Sequence, residues 1–231
     1  MITSGLNIDF EICKYYAPTE YNLDALYNGY FWFSKRERLN DPFDLAGFRN
    51  YRTQWLANSG LLAPSFLAKI VDENGKIDFY KEYASCSFTR SPLNRLMWAY
   101  YTNNYQGWCL VFRTRNILKQ PNEQLKEVIY VNDKFKPIDP NVTLDYEKEP
   151  EILLRVKHED WAHESEERII IKRNNNDFKR AWASNILASI IVGHNMNEAF
   201  KSILTSYGKE KHIPVYITEQ GIDFNLEAKP L

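Results

Sequence analysis

The sequence lacks most of the residues that would announce a familiar chemistry. Its three cysteines, Cys13, Cys86 and Cys109, are odd in number and far apart. They cannot form a closed disulfide set, and no CxxC pair or Cys/His cluster has zinc spacing. Glycine is scarce, at nine of 231 residues. Neither GxGxxG nor GxxxxGK[ST] occurs, and HExxH and GxSxG are also missing, so the dinucleotide, P-loop, zinc-protease and serine-hydrolase readings have no support. No apolar run approaches the ~18–20 residues that span a bilayer; the best, 186–192, is far shorter. The opening MITSGLNIDFEI carries Asp and Glu where a secretory leader has a basic start and an apolar run. The expectation is a cytoplasmic chain with no membrane partner. Charge of one sign is not in excess either: 29 Lys+Arg stand against 30 Asp+Glu, a formal net charge of -1. A bulk polyanion binder needs a basic surplus to neutralise phosphates. Only a local basic patch stays open.

Aromatic residues, by contrast, are plentiful: 15 Tyr, 13 Phe and 6 Trp make 15% of the chain. With 44% hydrophobic and 26% charged residues, the composition is that of a globular protein. A chain of this length can bury roughly 70–75% of its unfolded surface without a metal or disulfide staple. The aromatic side chains can fill a core and leave some for a surface or cleft.

Patterning predicts strands and helices interspersed along the chain, with no repeat and no linker between halves: one α+β domain over 1–231, with mixed or antiparallel central sheets and inserted helices. Residues 8–16 alternate as a first strand. EYNLDALYNG then reads as a short helix with Gly29 as its C′ residue, and YFWFS (30–34) as an aromatic strand. Asn40-Asp41-Pro42-Phe43-Asp44 favours a rigid turn. Residues 49–83 look helical with one loop. SCSFT (85–89) is a buried strand, and Ser91-Pro92 opens a helix with Leu93, Leu96, Met97 and Tyr100 on its apolar side. Strands follow at 108–112, 127–131, 167–172, 186–192 and 213–218, with a long loop at 132–150 and helices at 147–158 and 196–207.

Three segments can carry chemistry. Lys14-Tyr15-Tyr16 closes the first strand; by itself it reads as a strand edge with a solvated lysine and core tyrosines. In SCSFT the hydroxyls of Ser85, Ser87 and Thr89 share one strand face, and the next helix sets Trp98 and Tyr101 about one turn apart. Aromatic rings beside hydroxyls suit stacking on a flat ligand ring and bonding its polar edge. They suit a packed core equally, and taken alone the pattern favours the core. The third segment is Trp161-Ala162-His163-Glu164-Ser165-Glu166-Glu167-Arg168. In an extended chain Glu164, Glu166 and Arg168 point the same way, and Arg168 can neutralise one carboxylate bidentately. This is either a solvated edge or structural Glu–Arg pair, or a carboxylate poised in a cleft.

In this order the segments resemble a large bacterial family, domain of unknown function twenty-nine seventy-one. The matching pieces are Lys14-Tyr15, Asn22 to Gly29, FWFS, Asn40-Asp41-Pro42-Phe43-Asp44, SCSFT, Leu96-Met97-Trp98 with Tyr101, Gly107 and Phe112, and the Trp161 to Arg168 run. The layout is also similar to the ADP-ribosyltransferase fold. That resemblance implies NAD as the bound substrate and Glu166, with Glu164 as alternate, as the catalytic carboxylate. It implies Lys14 and Tyr15 on the ribose or phosphates, Ser87 with Trp98 or Tyr101 framing nicotinamide, and Arg168 beside them. A toxin or phage-defence role, with a protein or nucleic-acid acceptor, is implied in the same way. Two positions depart from the pattern. Lys14 stands where active transferases have His or Arg, and Glu167 stands where the family has a second Trp. Two rival readings stay open. One is a non-enzymatic module that binds a nucleotide or nucleic-acid end, using Lys35, Arg36, Arg38 and Lys172-Arg173 as local phosphate contacts. The other is a structural partner domain with aromatic anchors.

Overall fold

Strands that are apolar along their whole length, such as WCLVF and LASIIV, need cover on both faces of a sheet, and this requirement organises the molecule. The computed structural model describes residues 9–35, 38–41, 44, 79–119, 123–134, 136–144, 150–172 and 178–231. Its strands are β1 (Ile12–Tyr16), β2 (Tyr30–Trp32), β3 (Tyr83–Thr89), β4 (Trp108–Phe112), β5 (Lys126–Glu127), β6 (Ile129–Val131), β7 (Val156–His158), β8 (Glu166–Lys172), β9 (Lys179–Ala181), β10 (Leu187–Val192), β11 (Val215–Gln220) and β12 (Leu226–Pro230). Eight of them form one sheet in the order β12-β11-β10-β4-β1-β3-β8-β5. All its pairings are antiparallel except β10–β11, where a helical crossover returns the chain in the same direction. Two small sheets, β2–β9 and β6–β7, flank it.

Among the described residues three α-helices cover the sheet: α1 (Glu20–Tyr27), α2 (Arg95–Tyr101) and α3 (Glu198–Lys211). The Thr19 side chain caps α1 by accepting from the Asn22 amide at 3.3 Å, and Gly29 stands just beyond its end at φ +62, a conformation glycine adopts without a Cβ penalty. On one face Ile12, Phe88, Leu110, Phe112 and Ile190 pack with Leu26 of α1, Phe31 of β2 and Leu204 of α3. On the other, Cys13, Tyr15, Cys109, Val111 and Ile191 pack with Met97 and Trp98 of α2. All three cysteines are free and buried.

Several sequence expectations need correction. The stretch 127–131 is two short strands, because β5 pairs with β8 while β6 pairs with β7. The helix expected at 147–158 is, in its described part, a 3-10 turn, Pro150–Leu154, followed by β7. In α2 the apolar side is rotated: Met97 and Trp98 are buried while Leu96 and Tyr100 face outward. The second face of the sheet takes the indole, which is the larger apolar group. Residues 49–78 of the expected helical stretch lie outside the described residues, and Tyr83 already belongs to β3.

Gly107 joins the turn after α2 to β4, and a Cβ there would come within 2.0 Å of the Tyr16 carbonyl oxygen. Backbone cannot yield as a flexible side-chain tip can. Gly107→Ala is expected to cost about 2–4 kcal/mol through strain or a displaced strand, measured by urea unfolding; a stability unchanged within 0.5 kcal/mol, roughly the effect of a surface substitution, would contradict the packing described.

Candidate active site

The site begins with a fork in the sheet. β1 pairs with β4 along its whole length, from Ile12↔Phe112 to Tyr16↔Trp108. Its pairing with β3 is confined to Cys13↔Thr89. Further along, the same edge of β3 is taken by the chain after β2: the Ser34 and Ser85 amides and carbonyls bond each other at 2.8 and 3.0 Å. Between these two attachments the Ser87 carbonyl has no strand partner, and the Lys14 ammonium donates to it at 2.8 Å. A lysine side chain thus satisfies a backbone group that a continuous ladder would have satisfied. Its charge also lies 5.2 Å from the centre of the Phe88 ring and 5.6 Å from that of Tyr16, within cation–π range.

A cavity of about 300 Å³ occupies the fork, with Lys14, Ser87, Tyr101, Lys157, Glu164 and Glu166 among its walls. The carboxylates reach it by different routes. Glu164 ends a 3-10 turn, Glu159–Glu164, and Ser165 follows in the left-handed region at φ 45. Glu166 then starts β8. The run is therefore not one extended segment, yet the reversal at Ser165 still brings both carboxyl groups to one cavity. Across the sheet, Ser87 is paired with Arg168 and Thr89 with Glu166. The Thr89 hydroxyl donates to the Glu164 carbonyl at 2.5 Å and fixes the turn. The Asn94 side chain caps α2 by accepting from the Leu96 and Met97 amides, and it donates to the His163 carbonyl at 2.6 Å. That tie sets Tyr101 of α2 over Glu164.

At the centre stands Lys157, which the sequence reading overlooked. Its ammonium donates to Glu164 at 2.5 Å and Glu166 at 3.0 Å, lies 3.7 Å from Asp44, and sits 4.9 Å from the Trp161 ring centre. Arg168 lies beside it, 1% exposed. Arg168 donates bidentately to Glu166 at 2.6 and 2.9 Å and through both terminal nitrogens to Asp44, at 2.8 and 2.5 Å. On the cavity side, the Tyr101 hydroxyl donates to Glu164 at 2.5 Å and accepts from the Asn40 amide at 3.0 Å. Among the described residues of this cluster, three carboxylates, Asp44, Glu164 and Glu166, face the two cations Lys157 and Arg168.

The two glutamates are shifted in opposite directions. Burial would raise the Glu166 carboxyl, but Arg168, Lys157 and the Ser87 hydroxyl outweigh it and hold the group at about 2. Glu164 goes the other way. Burial and the neighbouring Glu166 charge raise it, and Lys157 and Tyr101 only partly offset them. Burial and the Glu164 charge raise the Tyr101 phenol, so it stays a donor. Lys157 is penalised by burial, yet the three carboxylates hold it protonated above its ordinary range.

Of the residues proposed from sequence, Lys14, Tyr15, Ser87, Tyr101, Glu164 and Glu166 line this one cavity. Trp98 does not. It is fully buried, its indole N–H donates to the Pro92 carbonyl at 2.9 Å, and it stacks on Tyr105 and meets the edge of Tyr15. Its place is the core behind the cavity. Arg168 lies beneath the carboxylates as their holder rather than in the wall. Tyr15 contributes its ring to the lining while its hydroxyl donates to the Ser91 carbonyl at 2.6 Å. Glu167, the departure from the resembled pattern, projects to the opposite face of β8, where Arg115 and Arg90 grip it. Of the basic residues, Lys172 pairs with Glu82 at 3.1 Å and Lys35 lies 5.3 Å from the Phe178 ring centre. Arg36 and Arg173 lie outside the described residues.

Residues 97–169 match the family described as Protein of unknown function (DUF2971). This supports the family resemblance over a stretch holding Tyr101, Lys157 and the Trp161 to Arg168 run. No curated protein and no solved structure matches the chain. Among the described residues no group of His, Cys, Asp and Glu is arranged to hold a metal ion, and no helix is long and apolar enough to cross a membrane.

The opposite shifts give opposite pH signatures. Folding lowers the Glu166 pKa, so its contribution to stability is present above the unfolded value and is lost as pH falls from about 4.5 towards 2. Folding raises the Glu164 pKa, so its contribution is full at low pH and is lost as pH rises through that raised value. Glu166→Gln is expected to cost about 3–5 kcal/mol at pH 7, because two buried cations lose a partner, and to flatten the acid limb of stability. Urea unfolding of both proteins at pH 7, 5 and 3 measures this; an unchanged acid limb would contradict the assignment.

Proposed function

We propose that this chain is an NAD-dependent ADP-ribosyltransferase-like enzyme whose reaction centre is the cavity in the β1–β3 fork. One observation carries the reading: two carboxylates share one cavity, one fixed as an anion and the other with a raised affinity for a proton. Such a split separates an electrostatic role from a proton-transfer role. In the reaction the bond from ribose C1′ to the nicotinamide nitrogen breaks, and its electron pair leaves with nicotinamide. C1′ becomes oxocarbenium-like, and the carboxylates of Glu164 and Glu166 stabilise that developing positive charge. An acceptor lone pair then forms the new bond to C1′ while Glu164 takes the acceptor's proton. Tyr101 orients Glu164, and Ser87 and Tyr101 frame the departing ring. Lys14 serves as a point charge for phosphate.

A binding module without catalysis is the second reading. The observation in its favour is the same Arg168–Glu166 clamp: a carboxylate held by two cations is what a structural ion cluster also requires.

Incubation of the protein with NAD and total cell extract, read as released nicotinamide and as label transferred to an acceptor, separates the two. The catalytic reading expects turnover, and a fall of about 100-fold or more in both Glu164→Gln and Glu166→Gln while the circular dichroism of the folded protein persists. NAD recovered intact, or equal turnover in the Gln variants, sinks it. In the binding reading NAD stays intact, and Lys14→Ala weakens its affinity.

A further inference from the structure

A second and larger space, of about 870 Å³, adjoins the fork cavity. Both are lined by Lys14, Tyr15, Trp32, Ser34 and Arg38, so they are compartments of one cleft with Lys14 and Arg38 at the boundary. The outer compartment differs in chemistry. Its walls add Tyr21, Tyr30 and Lys179 and, among the described residues, carry one carboxylate, Asp24. That carboxylate is engaged: it accepts from the Tyr30 hydroxyl at 2.6 Å and the Asn28 amide at 2.7 Å, and lies 3.8 Å from the Lys179 ammonium. Trp32 is 41% exposed, and its ring lies against Phe178 at 5.5 Å and 32°. An indole backed by another ring and open on the cleft side is a preformed surface for a flat ligand group. Arg38 is exposed at the rim, and no carboxylate among the described residues pairs with it. Lys14 spends one N–H on the Ser87 carbonyl and meets the buried Cys86 thiol, which leaves a donor of the ammonium's three for a ligand.

We propose that the outer compartment is a nucleoside-phosphate site, with the base against Trp32 and the phosphate between Lys14 and Arg38. The aromatic face, two cations at one end and a spent carboxylate suit a flat base joined to an anion, and disfavour a cationic or purely apolar guest. The assignment rests on the proposed NAD reading only in that the inner cavity would hold the reacting end. The nucleoside phosphate has two sources: the far nucleotide of a dinucleotide donor, or the terminal nucleotide of a nucleic-acid strand acting as acceptor.

Isothermal titration of the full chain with AMP tests the site without reference to activity. AMP is expected to bind, adenosine to bind more weakly, and Trp32→Ala and Arg38→Ala each to weaken AMP by about tenfold. Trp32→Phe, which keeps an aromatic face, is expected to retain most of the affinity. Displacement of AMP by NAD assigns the site to the donor; displacement by a 5′-phosphorylated single-stranded oligonucleotide but not by NAD assigns it to the acceptor. No AMP binding, or AMP affinity unchanged in both alanine variants, overturns the proposal. Intact NAD in the turnover assay with Trp32-dependent AMP binding retained overturns the catalytic reading and leaves this site standing.

Discussion

The buried charge cluster around Lys157 and Arg168 is the constraint on which the rest of the site depends. Each ion in it would be costly to bury alone, and each is tolerated because the others surround it. Arg168 reaches Asp44, far away in sequence, and Glu166, two residues away on its own strand face. Lys157 reaches both glutamates. The cluster thereby ties the start of β8, the 3-10 turn before it, the middle of β7 and the segment holding Asn40 and Asp44. A cavity wall made of such parts keeps its geometry when water or a ligand enters, because moving any one ion strands another.

The fork between β1 and β3 is the complementary feature. A fully paired β1–β3 ladder would close the sheet and leave no room beside Ser87. The Ser34–Ser85 bridge and the Lys14–Ser87 bond divide what a continuous strand neighbour would have done. The opening thus costs no unsatisfied carbonyl at Ser87, and it leaves a cation at the mouth of an acidic pocket. Local charge is steeply varied over a short distance although the net charge of the chain is -1. A ligand with an anionic middle and an end that turns positive during reaction fits that variation better than a polymer of uniform charge.

Much of the architecture was legible in the sequence. WCLVF, ERIIIK and the run at 186–192 read as strands, and Gly29 could be placed past its helix because the Asn-Gly pair ends the apolar spacing. The alternation that put Glu166 and Arg168 on one face also held. The sequence could not reveal Lys157. It lies in a charged stretch whose helix-like composition is overridden by parallel pairing of Val156–His158 with β6, and nothing local marks a lysine that will be buried by ions from other segments. Trp161 in the Trp161 to Arg168 run makes sense only once Lys157 is seen beneath its ring. Trp98 misled for the opposite reason: spacing places it a turn from Tyr101, but the free side of the sheet claims the indole for packing and leaves the cavity to the phenol. Asp44 was visible as part of a turn motif, while its bond to Arg168 spans a separation that no local pattern encodes.

The central claim is that Glu164 and Glu166 stand in one cavity in different protonation regimes. Carboxyl carbon-13 NMR of the glutamate-labelled chain, titrated with Glu164→Gln and Glu166→Gln as assignment controls, measures it directly. The account predicts that the Glu166 signal stays ionised down to about pH 2 while Glu164 takes up its proton above the ordinary carboxylate range. Two glutamates titrating together near their ordinary value would contradict it.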